Sequence, residues 1–146
     1  MRLEYLIKCR SVWVKIPIIN KIIRTMILKN GLDLPNSVIL NTGVMFLHNS
    51  LGTVIHPNTI IGRNVKIYQN VTIGRADVYC QYDNSLMKKI VIKDGAILCA
   101  GAKILCKSET LVIGENSIIA ANAVLLNSVG SNEIWGGIPA KFLKNI

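Results

Sequence analysis

The 146-residue chain is enough for one domain, and it is 51% hydrophobic with only 17% charged and 5% aromatic residues. Four cysteines that match no zinc spacing and only two histidines argue against a metal centre. The net charge of +9 favours anionic partners, but the basic residues lack the aromatic interleaving of a nucleic-acid binder. The apolar N-terminal run is broken by charges and has no small-residue cleavage site, so reduced thiols and a cytoplasmic protein are expected.

Residues 1–32 read as a basic helical lead-in, with two short amphipathic helices joined near Ile16–Pro17, because proline interrupts a helix. Lys8, Lys15, Lys21, Arg24 and Lys29 alternate with Leu6, Val12, Val14, Ile18, Ile22, Ile23 and Ile27. Two roles are open. The segment could make a peripheral contact with a membrane surface, or it could cap a solenoid whose first coil would otherwise expose unpaired strand edges. The cap is the simpler requirement.

A period of six starts at Leu34 and dominates residues 33–132. Leu34, Leu40 and Phe46 form one column, which continues through Ile55, Ile61, Ile67 and Ile73. Four places further on, a second column holds Val38, Val44, Thr59, Val65 and Val71. Helices repeat at 3.6 residues and half-buried strands at two. A period of six instead fits an all-β solenoid in which each hexapeptide is a short strand plus a corner. The register slips by three residues between Phe46 and Ile55, and His48-Asn49-Ser50 lies in the slip. Loops on a rigid scaffold are where chemistry tends to sit.

The pattern stops after Ile73 and resumes at Ile92, so a projecting loop is expected over about 74–91. It continues through Leu98 and Ile104, slips again by three, and runs on through Ile113, Ile119 and Leu125. Thirteen hexapeptides at three per coil make a little over four turns of a triangular prism. Small residues after the column, Gly62, Gly74, Gly114 and Ala120, are expected to make the tight corners. The tail, 133–146, breaks the period and is expected to end the solenoid.

The stretch GTVIHPNTIIGRNVKIYQNVTIG (residues 52–74), the later GAKIL (101–105) and the closing GGIPAKFL (136–143) resemble the left-handed parallel β-helix acyltransferases. The serine acetyltransferase branch is the best match. The left hand comes from this resemblance alone, since general physics favours right-handed parallel crossovers. The resemblance implies acetyl transfer from acetyl-CoA to a hydroxyl, with no metal required, in a homotrimer with sites between subunits. It places the general base at His48 and a carboxylate orienting the imidazole at Asp33, fifteen residues earlier and so roughly one coil away. His56, inside a regular hexapeptide, is expected to be structural.

Asn49, Lys88 and Lys89 are assigned by the resemblance to the acceptor side. Ala100, Gly101, Ala120, Ala121, Pro139, Ala140 and Lys141 are assigned to coenzyme A, whose pantetheine arm needs small residues and whose phosphates need a cation. The sequence departs from the serine enzymes at two points. Leu47 stands where they carry an acid before the catalytic histidine, and Lys88-Lys89 stand where they carry Arg-His. An ammonium has lost its partner, so an uncharged glycan or sugar hydroxyl is expected as acceptor, with L-serine as the alternative small-molecule substrate. A γ-class carbonic anhydrase of the same fold needs three histidines on zinc and is excluded. A non-enzymatic β-helical scaffold remains the second alternative.

Overall fold

The computed structural model describes residues 3–13 and 16–146. Val14 and Lys15 of the basic stripe, and the side chain of Val12, lie outside the described residues. Helix α1 (Leu3–Trp13) is followed by α2 (Pro17–Lys29), which begins at its proline, where a missing N–H costs nothing. Leu3, Leu6, Ile23 and Ile27 are buried against Leu32 and Leu34 of the first coil. The Arg10 guanidinium is buried too, and Nη2 donates to the carbonyls of Pro35, Asn36 and Val38 at 3.1, 2.9 and 2.7 Å. These contacts make the lead-in a cap on the open end of the solenoid. Among the described residues no helix is long and apolar enough to cross a membrane.

Three strands make each coil. The first holds β1 (Leu32–Asp33), β2 (Ile39–Leu40) and β3 (Met45–Phe46), and the second β4 (Thr53–Ile55), β5 (Thr59–Ile61) and β6 (Lys66–Ile67). The third holds β7 (Thr72–Arg75), β8 (Lys89–Ile92) and β9 (Ile97–Leu98). The fourth holds β10 (Lys103–Cys106), β11 (Thr110–Ile113) and β12 (Ile118–Ile119), after which come β13 (Val124–Leu125), β14 (Glu133–Gly137) and β15 (Ala140–Asn145). Stacking yields three parallel sheets: β1-β4-β7-β10-β13, β2-β5-β8-β11 and β3-β6-β9-β12-β14, with β15 added antiparallel to the last. The tail is therefore a final rung plus a hairpin on the third sheet. Trp135 packs edge-to-face on Phe142 at 6.5 Å.

The inward column is the core. Twelve of its thirteen residues are buried and Leu40 is half-buried. Burying each large aliphatic contributes about 1.5–3 kcal/mol. Ile39 pairs with Ile60, twenty-one residues on; Ile60 with Val91, thirty-one on; and Val91 with Val112, twenty-one on. A bare coil is eighteen, as Val54 to Thr72 shows. The excess is carried by loops at 48–50, 76–88 and 107–109. The projecting loop is thus shorter at both ends than 74–91, because the β7–β10 and β8–β11 ladders claim Gly74, Arg75 and residues 89–91.

The corners correct a second expectation. Gly62, Gly74 and Gly114 do not have positive φ; the left-handed corner positions belong to Gly43, Gly52, Gly95 and Gly101 and to Asn64, Asn70, Asn116, Asn122 and Asn132. Gly62 and Gly114 are glycine for another reason, since a Cβ on Gly62 would lie 2.7 Å from the backbone N of Asp94 in the next coil. Gly43, Gly52, Gly95 and Gly101 each sit against an asparagine amide of the following coil. Gly95→Ala, at φ +71, should therefore cost about 1–2 kcal/mol for the backbone alone, and more for the contact with Asn116. Thermal unfolding of the variant checks this, and an unchanged midpoint would contradict it.

Candidate active site

Strands of the third sheet lead into the first sheet across one edge of the prism. Four loops stack there: 47–52, 68–71, 99–102 and 120–123. They are tied coil to coil by Asn70 N–H to Leu51 O at 2.8 Å, Gly101 N–H to Gln69 O at 3.0 Å and Asn122 N–H to Ala100 O at 2.9 Å. The top loop departs from the repeat. His48, Asn49 and Ser50 have φ of 52°, 54° and 42°, three consecutive non-glycine residues in left-handed space. Such a turn costs about 1–2 kcal/mol per residue and persists only where the surroundings over-determine it. Here they do. Ser50 is fully buried with its hydroxyl on Ile67 O at 2.9 Å, and Gly52 N–H donates to Gly31 O at 2.8 Å. Thr53 Oγ1 donates to Tyr68 O at 3.1 Å and accepts from Val71 N–H at 3.2 Å.

The result is that His48 stands exposed on a locked loop, with its ring 6.0 Å from that of Tyr68. An accessible imidazole fixed in position is what a general base for a hydroxyl requires. Asn49 is exposed beside it. Below them on the same edge lie Ala100, Gly101, Ala120 and Ala121. The β14–β15 hairpin joins the edge at its far end: Ala120 N–H donates to Trp135 O at 2.8 Å, and a Cβ on Gly136 would lie 3.2 Å from that of Ala120. Ile138 and Pro139 form the hairpin's turn, Ala140 opens β15 opposite Gly137, and Lys141 is exposed on β15 opposite Gly136. The structure therefore gathers His48, Asn49 and the seven residues assigned to coenzyme A along one edge.

Three assigned residues fall elsewhere. Lys88 and Lys89 leave the projecting loop at the edge between the first and second sheets, where both backbone N–H groups donate to Glu109 O, at 2.7 and 3.2 Å. They do not reach His48 within one chain. Asp33 pairs with Val54 in the first sheet, because the His48 loop lengthens this coil and takes His48 out of Asp33's register. Its carboxylate accepts from Arg24 Nη2 at 3.1 Å instead of from His48.

His56 is held differently from His48. Its Nδ1 accepts from Asn58 N–H at 3.1 Å, its ring stacks on Tyr82 at 5.9 Å, and burial followed by the charge of Arg75 pulls its pKa below the usual value. It packs against the projecting loop through Tyr82. That loop is pinned by Asp77, which is buried and accepts from Ser85 Oγ at 2.8 Å with Arg75 beside it at 3.5 Å; the Ser85 bond is the main cause of its lowered pKa. The sequence reading missed both Tyr68 and this network. Tyr68 was legible as the large residue following Ile67 in the register. Among the described residues no cluster of His, Cys, Asp or Glu could hold a metal ion.

No protein-family profile matches the chain. It is 33% identical over 111 residues to a putative serine acetyltransferase of Schizosaccharomyces pombe, covering 76% of this chain and 38% of that one. It is 36% identical over 100 residues to the serine acetyltransferase of Staphylococcus xylosus, covering 68% and 43%. The chain spans about two fifths of the length of these relatives. Among solved structures, a Brucella abortus serine acetyltransferase in complex with coenzyme A superposes with a TM-score of 0.75 at 23% identity, over 97% of this chain and 54% of that one. Hexapeptide period, coil geometry and relatives agree, and the chain is a left-handed β-helix of the hexapeptide-repeat acyltransferase type, serine acetyltransferase-like.

Proposed function

We propose that the chain transfers an acetyl group from acetyl-CoA to an acceptor hydroxyl, with His48 taking the hydroxyl proton as the oxygen attacks the thioester. The observation that carries this is the strained, locked turn that presents His48 at the head of an edge floored by small residues. Coenzyme A would lie along that edge, its pantetheine arm against Ala100, Gly101, Ala120 and Ala121 and its phosphates near Lys141. Lys141→Ala should raise the KM for acetyl-CoA more than that for the acceptor. The effect should shrink with salt, since an exposed cation–phosphate contact is screened; an unchanged donor KM at low salt would remove Lys141 from the site.

The relatives' names back L-serine as acceptor over the sugar hydroxyl that Leu47 and Lys89 suggest. Serine is therefore the first reading. The sugar reading rests on the missing acid, because an ammonium without a carboxylate forgoes a charged hydrogen bond worth about 1.5–3 kcal/mol. Thiol release from acetyl-CoA with L-serine, nucleotide sugars and oligosaccharides decides between them. Efficient turnover of L-serine at millimolar or lower concentration selects the first, and release with none of them overturns the proposal.

A homotrimer with sites between subunits fits the outward faces. Ile39, Ile60, Val91 and Val112 form an apolar row in register on the second sheet, and Met45, Ile97, Ile118 and Ile134 a second row on the third, interrupted by Lys66. Packing of such rows between chains would bring one chain's His48 edge towards a neighbour's Lys88-Lys89 corner. Asp33 is proposed to orient the imidazole once Arg24 shares it. Asp33→Asn should then lower kcat without changing the affinity for coenzyme A; a wild-type rate would leave Asp33 as the partner of Arg24 alone.

A further inference from the structure

One column of the His48 edge changes size from coil to coil. The positions immediately after the inward residues Phe46, Ile67, Leu98 and Ile119 are Leu47, Tyr68, Cys99 and Ala120. From the hairpin upwards this row is small, small and then a phenol ring, and that ring is the one 6.0 Å from the ring of His48 and tilted 43° to it. Tyr68 is half-buried, and its backbone is fixed: its N–H donates to Leu98 O at 3.0 Å and its carbonyl takes the Thr53 hydroxyl. An acyl thioester running up the small-residue floor to the imidazole must end against this ring.

We infer that Tyr68 is the end wall of the donor groove and sets the length of the acyl group that the protein transfers. This rests on the proposed acyl transfer at His48. The reacting carbonyl has to lie at the imidazole, so carbons beyond the acetyl methyl have to occupy the space that the ring fills. A rigid wall of this kind discriminates by about 10- to 200-fold per methylene. The hydroxyl of Tyr68 plays no part in the discrimination, so phenylalanine should replace it and smaller residues should not.

The test compares kcat/KM for acetyl-, propionyl- and butyryl-CoA in the wild type and in Tyr68→Phe, Tyr68→Leu and Tyr68→Ala. The wild type and Tyr68→Phe should favour acetyl over butyryl by tenfold or more. Tyr68→Ala should raise the butyryl-to-acetyl ratio by at least tenfold, with Tyr68→Leu between. A second arm measures dissociation constants of the same three thioesters by calorimetry in a His48→Ala background, where the ratio should move in the same direction. If binding ratios move but nothing turns over, the transferase reading fails and the wall stands. Ratios unchanged in Tyr68→Ala, a Tyr68→Phe that loses discrimination, or no binding of any thioester would each overturn it.

Discussion

His48→Gly is expected to abolish most acetyl transfer and at the same time to stabilise the fold. Loss of a general base removes about 10²–10⁴-fold in rate. His48 sits at φ 52°, ψ 36°, a conformation that costs a non-glycine residue about 1–2 kcal/mol. Glycine returns about 0.5–1 kcal/mol of that through its greater unfolded entropy. The net gain is about 0–1.5 kcal/mol, or a rise of up to a few degrees in the unfolding midpoint. His48→Ala keeps the strain and should lose the activity without the stability gain. His56→Ala should do the reverse, keeping turnover while loosening the projecting loop through the lost Tyr82 stack. A His48→Gly variant that is active, or one that is less stable than wild type, would contradict the view that strain is stored here to present the base.

The largest stability effect is expected in the inward column. Leu98 is fully buried between Ile67 and Ile119, with a rung of the third sheet above and below it. Leu98→Ala should cost about 2–5 kcal/mol, the spread reflecting how far the stack can relax into the cavity. Each rung contacts only its neighbours, so the defect cannot be shared along the solenoid. Leu86, exposed on the projecting loop, gives the control, since Leu86→Ala should stay within about 0.5 kcal/mol. Denaturant unfolding at one fixed protein concentration checks both, because subunit association shifts apparent stability. Equal midpoints for the two variants would contradict the column as the source of stability.

What the sequence revealed follows from how the solenoid is encoded. The column repeats every six residues whatever the surroundings, so its buried positions could be read directly, as could the slip that holds His48. The corners could not be read from glycine alone. Asparagine serves the left-handed positions as often as glycine, and Gly43, Gly52, Gly95 and Gly101 are each paired with an asparagine one coil on, as Gly101 is with Asn122. Coil lengths were hidden where insertions change them: Asp33 pairs with Val54, twenty-one residues on, and its carboxylate accepts from Arg24. Arg10 was not singled out in the sequence, yet its partners lie 25 to 28 residues away at the mouth of the first coil. Periodicity carries no information about such a contact.

The edge as donor groove is the claim on which the rest depends, and amide hydrogen exchange with and without saturating coenzyme A tests it most directly. Protection is expected to run down residues 99–101, 120–122 and 137–141, the three segments that the fold stacks below His48. Protection confined to other parts of the chain, or none at a concentration where calorimetry shows binding, would contradict it.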